Sequence, residues 1–215
     1  MTYSICVRER ADGGHRFGVA AATRLPAVGS VCPHVSDHGA VAVAGVADPD
    51  AGARCLSALA AGRRLDETVA DLAAAGGEGS QFHGVGTEST ATHTGTDCPA
   101  VAGHRTNEGT TVGGTSLTDE SVLDAMAQGY RENERDASLV RRLLTALGAG
   151  ERSGGDRRVD DLPVGSAAVA VSTPGAGEPL YHDLRVDASD SPVADLRETY
   201  RQAKRGYEAA VERYG

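Results

Sequence analysis

The strongest constraint in this sequence is the order of its periodic segments, in which blocks of strand-like pattern alternate with pairs of helix-like pattern. Residues 2–9 mix β-branched and aromatic side chains, and an Ala11-Asp12-Gly13-Gly14 turn joins them to a second apolar run at 17–23, a hairpin signal. After a loop over 25–38, residues 39–47 form a run of small apolar side chains suited to a sheet covered on both faces, ending at Asp48-Pro49-Asp50. Ala53, Leu56, Leu59 and Ala60 then recur at helical spacing, as do Leu65, Val69, Leu72 and Ala73, and Gly76-Gly77-Glu78-Gly79 stops the second helix. Strands resume over 81–88, 90–94 and 110–115. Thr118-Asp119-Glu120-Ser121 caps a helix carrying Val122, Leu123 and Met126, and a second helix follows over 139–147. A charged, glycine-containing loop (153–162), strands over 164–172 and 180–186, and a long helix over 192–214 complete the chain. There is no internal repeat and no linker long enough to divide it. This order predicts a single α+β domain over 1–215, a four-layer αββα sandwich of two stacked, mainly antiparallel sheets, each covered by helices.

Charge then narrows the function. Of 21 basic residues 20 are Arg and only Lys204 is Lys, which leaves little material for Schiff bases, Walker phosphate loops or Ser-x-x-Lys nucleophiles. A formal charge of −9 with no basic run argues against nucleic acid and anionic membranes as partners. No apolar stretch approaches bilayer length, and Arg8 comes too early for a signal-peptide core, so the expected location is the cytoplasm. Cys6, Cys32, Cys55 and Cys98 lie far apart, as reduced thiols would. The acidic excess, with Arg in place of Lys, also suits a salt-rich cytoplasm.

The familiar motifs G-x-S-x-G, H-E-x-x-H, G-x-x-x-x-G-K-[ST] and G-x-G-x-x-G are absent. The Gly148-Ala149-Gly150-Glu151-Arg152-Ser153 segment follows a helical pattern where a dinucleotide loop needs a strand. His93, Cys98 and His104 are of zinc-binding type, but their spacing matches no common module and a fourth ligand is not evident, so no metal or other cofactor is expected. Asp48 and Asp50 read as a turn and helix cap rather than a calcium fragment. Thr2 carries more chemistry. Removal of Met1 would give it a free α-amine of ordinary pKa ~7.7–8.0, so one residue would supply both an attacking hydroxyl and a general base.

Several blocks resemble the family called domain of unknown function 1028. They are Met1-Thr2-Tyr3-Ser4-Ile5, Gly18-Val19-Ala20 running to Arg24, Ala27-Val28-Gly29-Ser30-Val31 with Cys32-Pro33, and His93-Thr94-Gly95 with Cys98. Later blocks agree: Ala102-Gly103-His104-Arg105, Ser153-Gly154-Gly155-Asp156 with Arg157, and Asp183-Leu184-Arg185-Val186-Asp187. The resemblance spans nearly the whole chain and implies kinship with the N-terminal-nucleophile hydrolases, an αββα fold, and Thr2 as nucleophile on the first strand. Ser4 and Cys6 share that strand, but either would require a further chain cleavage. Proteasome-type members carry an acid two residues before the second-strand arginine, where this chain has Ala22 before Arg24. They also carry a lysine near the region of Val31-Cys32-Pro33, and an acid three positions before Ser-Gly-Gly, where Gly150 stands here.

The functional expectation is therefore a hydrolase of a small amide or peptide bond. Thr2 is nucleophile and base, Arg24 supplies positive field, Asp156 orients the amine or Arg24, and His93 or His104 binds substrate by donating to the developing oxyanion. A buried ion pair between Arg24 and Asp156 would instead be structural. The alternative from another class is a noncatalytic binder of a small molecule or peptide in the same cleft. Specificity would reside in the loops over 25–38 and 96–109, and members of this fold often form dimers or rings.

Overall fold

The computed structural model describes residues 1–45, 48, 50–99, 101–133, 137–157, 162–173 and 179–214. Val46, Ala47 and Pro49, and positions 158–161 of the glycine-containing loop, lie outside the described residues.

The chain opens with a hairpin of β1 (Thr2–Ala11) and β2 (Gly14–Thr23), turned at Asp12 and Gly13. A second hairpin pairs β3 (Pro33–Ser36) with β4 (Gly39–Gly45). Helices α1 (Ala51–Ala60) and α2 (Leu65–Ala74) follow, then strands β5 (Ser80–Gly86), β6 (Thr90–Thr94), β7 (Gly103–Asn107) and β8 (Thr110–Thr115). Helices α3 (Ser121–Arg131) and α4 (Leu139–Arg152), strands β9 (Gly165–Ser172) and β10 (Asp183–Ser189), and helix α5 (Pro192–Tyr214) end the chain. All pairings are antiparallel. One sheet has the order β10-β9-β2-β1-β8-β7, the other β3-β4-β5-β6. The molecule is thus α+β, a sandwich of two antiparallel sheets.

Three apolar clusters show how the layers stack. Tyr3, Ile5 and Val7 of β1 point away from the second sheet and pack with Leu123, Met126, Leu143 and Leu147 of α3 and α4. Between the sheets lie Cys6, Phe17, Val19, Ala21, Ala40, Ala42 and Val85, many of them small, so the two sheets approach closely. On the far side, Val41, Val43 and Phe82 face Cys55, Leu59, Leu65, Val69 and Leu72 of α1 and α2. Each sheet is therefore covered by helices on its outer face, the layer order that the alternation of segments predicts.

Two strands went unread in the sequence. The segments 25–38 and 96–109 contain β3 and β7, and each is an edge strand of its sheet. With one ladder unpaired and little burial they carry no hydrophobic alternation, so Pro33-His34-Val35-Ser36 and Gly103-His104-Arg105-Thr106-Asn107 read as loop. α4 runs five residues past 147, so the glycine-rich stretch from Gly148 is helical, and residues 180–182 form a short 3-10 turn before β10. At the start of α3 the capping acceptor is Asp119, whose Oδ1 takes the Ser121 N–H at 2.9 Å.

Leu143 is fully buried and packs onto β2 at Gly18, where an added Cβ would come within 2.8 Å of its Cδ1. Leu143→Ala is expected to cost ~2–5 kcal/mol in chemical denaturation, because it leaves a cavity in the fully buried layer beneath α4.

Candidate functional site

Alternation along β1 gives the site its residues: Thr2, Ser4 and Cys6 point between the sheets while their neighbours face α3 and α4. Thr2, 7% exposed, stands at the start of the strand in the wall of a cavity of about 300 Å³. Met1 and Thr23 share that wall with the apolar side chains of Leu25, Val28, Val31 and Val43 and the sulfur-bearing Cys32. The Met1 carbonyl accepts a hydrogen bond from the Thr2 hydroxyl and lies 2.8 Å from Thr23 Oγ1. Burial lowers the pKa of the Met1 α-amine, against the opposing pull of the nearby Asp156 charge.

Asp156 is brought here by the turn before it. Gly154 and Gly155 have φ of 119° and 62°, conformations that suit glycine, and a Cβ on Gly154 would meet the Thr118 hydroxyl at 2.2 Å. The turn is held by Thr118 N–H donating to Gly155 O at 3.0 Å and by a bridge between Leu117 and Asp156. The Asp156 carboxylate, 2% exposed, accepts from the Thr23 hydroxyl at 2.8 Å and from the backbone N–H of Arg24 at 2.9 Å. Its Oδ1 is buried without a hydrogen-bond partner, and burial raises its pKa. The link between Arg24 and Asp156 thus runs through the peptide group, and the guanidinium does not form the buried ion pair considered from sequence.

His93 and His104 stand on β6 and β7, and neither lines the cavity beside Thr2. His93 Nε2 lies 2.9 Å from Gly77 O, with its ring stacked on Phe82 at a centroid distance of 5.9 Å. His104 Nδ1 lies 3.1 Å from the Thr94 hydroxyl. Among the described residues no three His, Cys, Asp or Glu side chains are grouped to hold a metal ion, so the His93, Cys98 and His104 spacing does not become a ligand set.

The sequence reading missed a polar chain beneath the site. His83, fully buried on β5, places Nε2 2.7 Å from Ser4 Oγ and Nδ1 2.9 Å from Thr111 Oγ1. Ser4 also reaches the Cys32 thiol, which burial pushes up to about 12 and so keeps protonated at neutral pH. Gly113 makes room for the imidazole, since a Cβ there would lie 2.4 Å from His83 Cδ2. Gln81 lies on the same face of β5 and donates to Thr94 Oγ1, Gly103 O and Gly114 O at 2.9–3.1 Å. The signal was present: Gln81 and His83 are two large polar side chains at i and i+2, flanking Phe82 in the strand read over 81–88.

The fold has known relatives. The model of a family of unknown function, DUF1028, matches residues 2–196, so the chain belongs to that family. A crystal structure of a DUF1028 protein from Silicibacter pomeroyi is similar with a TM-score of 0.81 and 28% sequence identity, covering 94% of this chain and 88% of that one. No curated protein matches the chain. Among the described residues no helix is long and apolar enough to cross a membrane.

Burial depresses the His83 pKa to about 3, against ~6.5 in an unfolded chain. Between those values the unfolded state binds one more proton, so the contribution of His83 to stability is complete above pH ~6.5 and falls by up to ~1.4 kcal/mol per unit as pH drops toward 3. His83→Gln is expected to flatten the acid limb of the stability–pH curve. Imidazole NMR signals of His83 in the native protein are expected to remain those of the neutral ring well below pH 6.

Proposed function

We propose that the chain is a hydrolase of the N-terminal-nucleophile type, acting on a small amide or peptide bond with Thr2 as nucleophile after removal of Met1. The observation that carries this reading is the position of Thr2: first residue of a central strand, 7% exposed, at the wall of the 300 Å³ cavity. The family resemblance points to the same residue.

The chemistry follows from those groups. Loss of Met1 removes the carbonyl that now occupies the Thr2 hydroxyl. The neutral Thr2 amine accepts the proton of its own hydroxyl as Oγ forms a bond to the substrate carbonyl carbon. That proton passes to the departing amine as the C–N bond breaks; the neutral Thr2 amine then takes a proton from water as its oxygen bonds to the acyl carbon, and gives that proton to Oγ as the ester C–O bond breaks. A neutral amine is what this step requires, and burial favours it. Asp156, through Thr23, orients the amine. Arg24 supplies positive field and stays charged, so it is not the base. The buried thiols of Cys6 and Cys32 are pushed up and offer no competing nucleophile near neutral pH.

The largely apolar wall also favours a second reading, a noncatalytic binder of a small molecule or peptide at the same cavity, in which Thr2 only shapes the surface.

In the natively expressed protein, the N-terminal peptide is expected to begin at Thr2 and to carry an acyl adduct after treatment with a threonine-reactive β-lactone, in folded but not denatured protein. Thr2→Ala is expected to abolish the adduct and any amide turnover with little change in melting temperature. Retained Met1, or a free Thr2 that is never acylated, overturns the hydrolase reading and leaves the binding one. Turnover is expected to rise with pH as the Thr2 α-amine loses its proton and to level off once it is neutral, since the free base is the active form.

A further inference from the structure

At the other end of β1 the chain gathers positive charge. A cleft of about 700 Å³ beneath the β1–β2 hairpin is lined by five arginines, Arg8, Arg10, Arg16, Arg131 and Arg142, against two carboxylates, Glu9 and Glu108. Five of the 20 arginines thus converge on one surface of a protein whose formal charge is −9. They come from β1, β2, α3 and α4, so no run of sequence announces them.

The buried part of the cluster has more cations than anions. Glu9 accepts from Tyr130 Oη and from Arg142 through one oxygen, and from Arg16 Nε and Nη2 at 2.9 and 2.6 Å through the other. Two guanidinium groups therefore share a single carboxylate. The Arg142 side chain is only 10% exposed and lies over the Tyr130 ring at 4.4 Å, and its Nε has no hydrogen-bond partner. Arg8 lines the cleft as well, with its guanidinium fixed by donating to the carbonyl oxygens of Gly86 and Thr87 at 2.7 Å. Arg10 and Arg131 are exposed at the rim. Holding surplus positive charge at a partly desolvated surface is costly, and an anion in the cleft would offset it.

We infer that this cleft is a second binding site, which takes a compact small-molecule anion of two or more negative charges, a phosphate ester or a polycarboxylate. Planar guanidinium forks match both groups. Eight residues of strand at ~3.3 Å each separate Thr2 from Arg10, about 26 Å, so the site is separate from the cavity beside Thr2.

The test is calorimetric titration of the full-length protein with pyrophosphate and, separately, with citrate at low ionic strength. Saturable binding at one site is expected, weakened at least about tenfold in Arg10→Ala/Arg131→Ala. Both substitutions remove exposed side chains, and Arg131→Ala alone is expected to show a smaller loss in the same direction. Arg63→Ala, which removes an exposed arginine elsewhere, and Thr2→Ala are expected to bind as wild type; the latter result is independent of whether Thr2 is a nucleophile. Tighter pyrophosphate assigns a phosphate ester, and tighter citrate a polycarboxylate. Absence of saturable binding of both probes, or equal weakening by Arg63→Ala, overturns the inference.

Discussion

Because successive side chains of a strand point to opposite faces, β1 has to serve two interiors at once. Its odd-numbered residues Tyr3, Ile5 and Val7 are packed under α3 and α4, and its even-numbered residues Thr2, Ser4 and Cys6 face the other sheet. β2 and β8 pair with it on either side, so its backbone is laddered on both edges from Tyr3 to Val7. This two-sided burial fixes the register, since a slip of one residue would put the hydroxyls and thiol under the helices and Tyr3, Ile5 and Val7 between the sheets. It also fixes what the ends of the strand can be. Thr2 is delivered to a cavity between the sheets, and Glu9 near the other end to Tyr130 and Arg142 of the helical layer.

The layer between the sheets carries an unusual load of polar groups. Ser4, His83 and Thr111 form one hydrogen-bonded chain, and Cys32 joins it through Ser4. Such groups are tolerated in a dry interior only when paired, and the neutral state of His83 follows from that environment. The small side chains around them, Ala40, Ala42 and Gly113, let the sheets come near enough for these bonds to close. Rigid support of this kind holds Thr2 in place from below, while the Gly154-Gly155 turn brings Asp156 to it from the side.

How much of this was legible depended on periodicity. The central strands and the helices over 51–60, 65–74, 121–131 and 139–152 stood out because each buries a patterned face, and the helix–strand blocks implied the stacked layers. β3 and β7 did not, because edge strands with polar sequences have no such pattern. At the site, Thr2 was legible as a residue that can act from a free terminus, and Asp156 as part of a glycine-led block. Their connection through Thr23 was not, because it joins residues 133 positions apart. His83 and Gln81 were passed over as ordinary strand residues, although their shared face was available to be read.

By itself the sequence determined which faces are apolar, where the turns fall, and that almost every cation is an arginine, since these are local properties of composition and spacing. Tertiary structure alone decided which distant side chains meet: that His93 and His104 stand apart from the Thr2 cavity, that Arg24 reaches Asp156 by its backbone, and that five scattered arginines share one cleft. The physical reason is that pattern records only which face of an element is buried. The pairing of faces is set by packing of the whole sandwich, through contacts that are remote in the chain.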